Sequence, residues 1–235
     1  MGISYNPRIV TDGLVLALDA ANPKSYPGSG TTWTDISGRS NTGTLTNGPT
    51  YSAANGGSIV FDGVDDYASI SNNSLLSFGT NSFTINLWIR RITTNSFNPI
   101  ITTYNNYSSG YSTYFYAGIY NASNVYETGF TILTSGGNHI TTLNSIPITN
   151  NEWINVSVTR SGDNITLYRN GSFYSTASSQ GNDWSGTGRP TLMGGGVTSA
   201  TPLNGNIAQV SIYNRALSAA EVSQNFNALR SRFSI

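Results

Sequence analysis

Apolar residues recur at every second position over much of this chain, and that alternation predicts strands. Phe83, Ile85, Leu87 and Ile89 alternate with Thr84, Asn86, Trp88 and Arg90, and Ile154, Val156 and Val158 alternate with Asn155, Ser157 and Thr159. A period of two sends successive side chains to opposite faces of a sheet, so each run reads as a strand with one buried face. Leu14, Leu16 and Leu18 form a similar run after the Asp12-Gly13 turn signal. Segments 58–61 and 67–70 read as two short strands across the turn Asp62-Gly63-Val64-Asp65-Asp66. Asn170-Gly171 joins 165–169 to 172–174 as a hairpin, because both central residues of a type I′ turn need positive φ. Segments 112–120, 126–133 and 139–143 add further strands, and Ile207 to Ile212 has the mixed pattern of a strand partly buried on both faces.

Only one stretch reads as a helix. Ser218-Ala219-Ala220-Glu221 is a capping box, with Val222, Phe226 and Leu229 at helical spacing behind it. The Pro-, Gly-, Ser- and Thr-rich stretch from 22 to 49 reads as a long loop anchored by Trp33 and Ile36. No repeat and no linker divides the chain, so 13–235 reads as one domain and 1–12 as an N-terminal arm with little apolar surface. The fold class expected is all-β with one short C-terminal helix.

Composition narrows the function. Charged residues are 9% of the 235 positions, far below the usual level of about 25%, and Ser, Thr, Asn and Gly fill the gap. Eleven positive and eleven negative side chains cancel, and Lys24 is the sole lysine, which leaves no basic footprint for nucleic acid or an anionic membrane. Without cysteine there are no disulfides, thiolate metal sites or cysteine nucleophiles. The first residues lack the basic-then-apolar pattern of a signal peptide, so export by that route is not expected, and the Asn-x-Ser/Thr triplets read as products of composition.

Three strings carry a resemblance: 59–67 (Ile-Val-Phe-Asp-Gly-Val-Asp-Asp-Tyr), 83–89 (Phe-Thr-Ile-Asn-Leu-Trp-Ile) and 153–156 (Trp-Ile-Asn-Val). With Leu167-Tyr168-Arg169-Asn170-Gly171 and the run from Gly205 to Ser218, the ordered set resembles the laminin-G-like, concanavalin A-like jelly-roll family over about residues 10 to 230. That resemblance implies a two-sheet jelly-roll sandwich. The N-terminal string from Asn6-Pro7-Arg8 to Gly28 resembles structural proteins of tailed bacteriophages, which implies a virion location as capsid decoration or fibre, with other virion proteins as partners. A homo-oligomer is expected on the same footing, since most such assemblies are symmetric.

Candidate chemistry is sparse. Glycoside hydrolases share this fold and need two carboxyl groups about 5 to 9.5 Å apart. The glutamates are Glu127, Glu152 and Glu221, none on a strand face shared with a nearby aspartate, and the family's strand-borne Glu-x-Asp-x-Glu signature is absent. A lone His139 cannot build a usual zinc site. These observations point away from an enzyme. Asp62, Asp65 and Asp66 offer hard oxygens within one turn, so calcium is the metal they would take; the alternative is that they are turn formers bonding their own backbone. Between 104 and 126 tyrosine recurs among Asn and Ser, with Tyr107, Tyr111 and Tyr114 as candidate ligand contacts, the alternative being core packing. Two functions stand side by side: a virion structural protein with a surface attachment domain, and a free lectin-like module binding carbohydrate such as host-surface glycans.

Overall fold

The structure is a computed structural model that describes residues 7–71, 78–92, 98–103, 112–119, 126–133, 139–140, 146–178, 191–195 and 202–235. Two antiparallel sheets pack face to face. The first runs β15 (Ser172–Ser178), β14 (Asn164–Arg169), β13 (Trp153–Ser161), β7 (Phe83–Arg91), β17 (Asn204–Tyr213), β5 (Ser58–Asp62) and β4 (Thr50–Ser52), with β1 (Leu14–Asp19) also on β17. The second runs β11 (His139–Ile140), β10 (Tyr126–Leu133), β9 (Ser112–Ile119), β8 (Asn98–Thr103), β16 (Thr191–Met193), β6 (Tyr67–Ile70), β3 (Gly43–Thr46) and β2 (Thr32–Trp33), with β12 (Ile146–Pro147) beside β10. The architecture is the two-sheet sandwich expected, with one short C-terminal helix, α1 (Ala219–Leu229).

Long β17 organises the first sheet. Asn204 to Ile207 pair with β5, Gln209 to Tyr213 pair with β1, and β7 lies along its other edge. Phe83, Ile85, Leu87 and Ile89 of β7 join Ile154, Val156 and Val158 of β13 in the core between the sheets. Trp33 is fully buried there, whereas Ile36, the second expected anchor of the 22–49 loop, is 39% exposed. That loop also supplies β2 and β3, because its residues pair with the second sheet.

One expectation is corrected. The strands β7 and β13 are buried on both faces, since Thr84, Asn86, Trp88, Asn155, Ser157 and Thr159 are buried as well. The cover comes from the chain ends. Val222 packs with Leu14, Ala17, Tyr168 and Tyr213, and Phe226 and Phe233 pack on Trp88, the latter stacked at 4.1 Å. Beneath this cover the polar side chains satisfy one another: Ser157 and Asn155 donate to Asn86 Oδ1 at 2.7 and 3.1 Å, Asn86 donates to Gln209 at 3.2 Å, and Gln209 donates to Ser211. Burial of these amides and hydroxyls is tolerated where they find partners, as the bonded groups do, whereas Asn155 Oδ1 and the Trp88 indole N–H are buried without one.

The helix begins as its capping box predicts, with the Ser218 hydroxyl accepting from Glu221 N and the Glu221 carboxylate accepting from Ser218 N at 2.8 Å. Val10 falls within the stretch read as an arm, yet it is buried; its amide donates to Asn225 Oδ1 at 2.7 Å and its carbonyl accepts from Tyr213. Among the described residues no helix is long and apolar enough to cross a membrane.

Candidate cation turn and surface aromatics

The turn from β5 to β6 brings Asp62, Asp65 and Asp66 together, with carboxylate oxygens of all three within 4.8 Å of one another. Gly63 turns the chain at φ +81°, and a Cβ there would meet the Asn204 side chain at 2.8 Å, so glycine fits both the backbone and the close approach. Asp62 Oδ1 accepts from Val64 N at 2.8 Å, and Asp66 Oδ2 accepts from Asp62 N at 3.0 Å. Asn47, from the β3–β4 turn, donates its side-chain amide to Asp65 O at 2.9 Å.

Burial differs across the cluster. Asp62 and Asp65 are exposed, whereas Asp66 is buried. Burial pushes the Asp66 carboxyl above its ordinary range; the Asp62 amide pulls it back, and the charges of Asp62 and Asp65 push it up again. Three carboxylates suit a hard divalent cation, which would relieve this repulsion. The same oxygens already hold the backbone of the turn, as in the alternative reading. Gly194 and Gly195, from the glycine run after β16, permit close packing nearby: a Cβ on Gly194 would lie 2.5 Å from the Phe61 ring, and one on Gly195 2.6 Å from Asp66 O.

Of the three candidate tyrosines only Tyr114 falls among the described residues. Tyr107 and Tyr111 lie outside the described residues. Tyr114 lies in β9, its backbone in register with Thr102 of β8 and Thr131 of β10. His139 pairs with Leu133 at the sheet margin. Glu221 is held at the helix start, where Arg215 contacts it at 2.6 Å and also meets Asp12 at 2.8 Å.

Two features escape the linear reading. Asn47 sits fifteen residues before Asp62 and reaches the turn only through the β3–β6 pairing. Phe173, on the first sheet's edge strand, is an exposed aromatic ring. The signal for the first was the Asn47-Gly48 turn dipeptide; for the second there was only an apolar residue beside the hairpin turn.

Comparison with solved structures gives the fold independent support. Domain 4 of AbnA, a GH43 extracellular arabinanase from Geobacillus stearothermophilus, solved with arabinotriose, matches at TM-score 0.69 and 14% identity over 90% of this chain and 97% of that one. The binding domain of Paraclostridial Mosquitocidal Protein 1 matches at TM-score 0.70 and 18% identity over 93% of this chain and 52% of that one. The binding domain of Botulinum Neurotoxin DC, solved with SialylT, matches at TM-score 0.67 and 17% identity, again over 93% and 52%. The chain therefore spans about half the length of the toxin binding domains it resembles. No curated protein matches the sequence. A family model described as the concanavalin A-like lectin/glucanases superfamily matches residues 62–223, more than half of the chain. The chain belongs to that superfamily.

Proposed function

We propose that this chain is a non-enzymatic carbohydrate-recognition module on the surface of a bacteriophage virion. The observation that carries the sugar-binding reading is the two-sheet sandwich itself, an architecture found in an arabinanase domain in complex with arabinotriose and in a neurotoxin binding domain in complex with SialylT. Binding without turnover is supported by where carboxylates lie. Hydrolysis of a glycosidic bond needs an acid and a second carboxylate on either side of it. Here Glu221 serves the helix cap and Arg215, and Asp62, Asp65 and Asp66 gather on one turn.

The virion assignment rests on the N-terminal string from Asn6 to Gly28, similar to that of tailed-phage structural proteins. On this reading the partners are other virion proteins and host-surface glycans, and the assembled form is a homo-oligomer. The free lectin-like module remains the second reading, favoured by the calcium-type donor set at Asp62, Asp65 and Asp66. A glycan array with and without calcium, run beside mass spectrometry of purified particles, separates them. Sugar binding with the chain present in virions is expected. A blank array removes carbohydrate recognition, and absence from particles removes the virion role.

A further inference from the structure

Phe173 is 63% exposed on β15, and a lone apolar surface residue would need no explanation. Its surroundings set it apart. The strands β14 and β15 pair Thr166 with Thr176 and Leu167 with Ser175, then Tyr168 with Phe173, so Tyr174 is an extra residue in a β-bulge. That insertion restores the phase of the strand: Phe173 and Thr176, an odd number apart, share a face with Thr166 and Tyr168. The contacts agree. The Tyr168 and Phe173 rings meet edge to face at 6.4 Å and 87°, which holds the exposed ring against a buried one. The Thr166 and Thr176 hydroxyls lie 3.4 Å apart, and Thr176 gives its proton to the Ile165 carbonyl at 3.0 Å. The hydroxyl pair is left presenting acceptor lone pairs.

Charge is nearly absent here. Between Asn164 and Ser178 the only charged side chain is Arg169, which alternates away from the face of Thr166 and Tyr168. We propose that this face of the β14–β15 hairpin is a contact platform for a neutral sugar chain, with Phe173 as the stacking ring and Thr166 and Thr176 as hydroxyl partners. A pyranose or furanose offers apolar C–H groups to lie on an aromatic face and O–H donors at its rim, and this platform supplies both complements. An uncharged occupant matches a hairpin face to which its own two strands bring no charge, because an ionised sugar would lose hydration there without gaining a counter-charge from them. The inference rests on the carbohydrate-binding reading and adds a location: β15 is separated from β5, which leads into the acidic turn, by β14, β13, β7 and β17.

The test is affinity gel electrophoresis of the full chain through soluble arabinan, xylan, galactomannan and dextran, with a sialylated glycoprotein as the charged comparator. The variants are Phe173→Ala, Phe173→Trp and the pair Thr166→Val with Thr176→Val, each first shown by calorimetry to fold. The wild type is expected to be retarded by at least one neutral polysaccharide. Phe173→Ala should weaken that retardation about tenfold, Phe173→Trp should retain it, and the double valine variant should weaken it. Retardation undiminished in Phe173→Ala overturns the platform while leaving carbohydrate binding intact. Retardation by the sialylated comparator alone overturns the platform's neutral specificity, and passage of the wild type through every gel overturns both readings.

Discussion

The Asp35 carboxylate accepts the backbone amide of Ala17 at 2.8 Å, from a loop to the free edge of β1. Along that edge Ile36 N donates to Ala17 O, Asn41 donates its side-chain amide to Val15 O at 2.6 Å, and the Ser25 hydroxyl accepts from Asp19 N. An open edge is a template for pairing with another chain, and here a loop takes up those groups instead. Asp35 also accepts from the amides of Ser37 and Asn41. Asp35→Ala leaves buried donors unmet and should cost about 3 kcal/mol, with increased light scattering on heating. Urea denaturation measures the loss; a change below about 0.5 kcal/mol would show that water replaces the carboxylate.

The pair Arg215–Glu221 predicts a pH dependence. Arg215 and the Ser218 amide hold the Glu221 carboxyl at about 2, below its ordinary 4.5. A carboxylate depressed in the folded state contributes stability that is present above its unfolded pKa and lost as the pH falls from about 4.5 through about 2. With both side chains near 30% exposed, solvent and salt reduce the effect. Glu221→Gln should be less stable than wild type at neutral pH, and the gap should close across that acid window. Denaturation midpoints from pH 7 to pH 2 follow it, and an unchanged gap would assign the cap to neutral hydrogen bonds alone.

Asp66 has the opposite sign. Its carboxyl is raised, first by burial and then by the charges of Asp62 and Asp65, against the pull of the Asp62 amide. A carboxyl raised in the folded state favours folding below its unfolded pKa and loses that contribution as pH rises through the folded value. Asp66→Asn, which can still accept from Asp62 N, should therefore stabilise the protein at pH 7, and the gain should fade in acid. Millimolar calcium should raise the melting temperature of the wild type and not of this variant. A wild type indifferent to calcium returns the turn to its backbone role.

Truncation separates the arm from the core. Deleting residues 1–7 should leave the melting temperature nearly unchanged. Deleting 1–10 also removes Val10, its bond to Asn225 and the acceptor of the Tyr213 hydroxyl, and should lower it by several degrees. Calorimetry of the two proteins decides it; equal melting temperatures would place Val10 outside the cooperative unit.

The inner face of β7 was legible because Phe83, Ile85, Leu87 and Ile89 differ in kind from their neighbours, and Ser218 and Glu221 mark a helix start by local chemistry alone. The outer face was not. Asn86 and Ser157 have the composition of a wetted surface, and they are dry because α1, encoded at the far end of the chain, lies over that face of the sheet. The acidic turn could be read since its three carboxylates are neighbours in sequence, whereas Asn47 joins it through strand pairing. Phe173 and Thr176 were hidden by odd spacing, which only the bulge at Tyr174 reconciles.

The sharing of β17 between β1 and β5 also sets an order of events during synthesis. Strand β1 finds its ladder on Gln209 to Tyr213, and β7 needs the same strand for its second edge. As the chain emerges from the ribosome, its first strand waits through nearly two hundred residues for its partner. At about 5–20 residues per second that is a delay of roughly ten to forty seconds. Until β17 appears, the core faces of β1 and β7 are open to any chaperone or neighbouring nascent chain, so the interval before the last strand is when this sandwich is most exposed to wrong pairings.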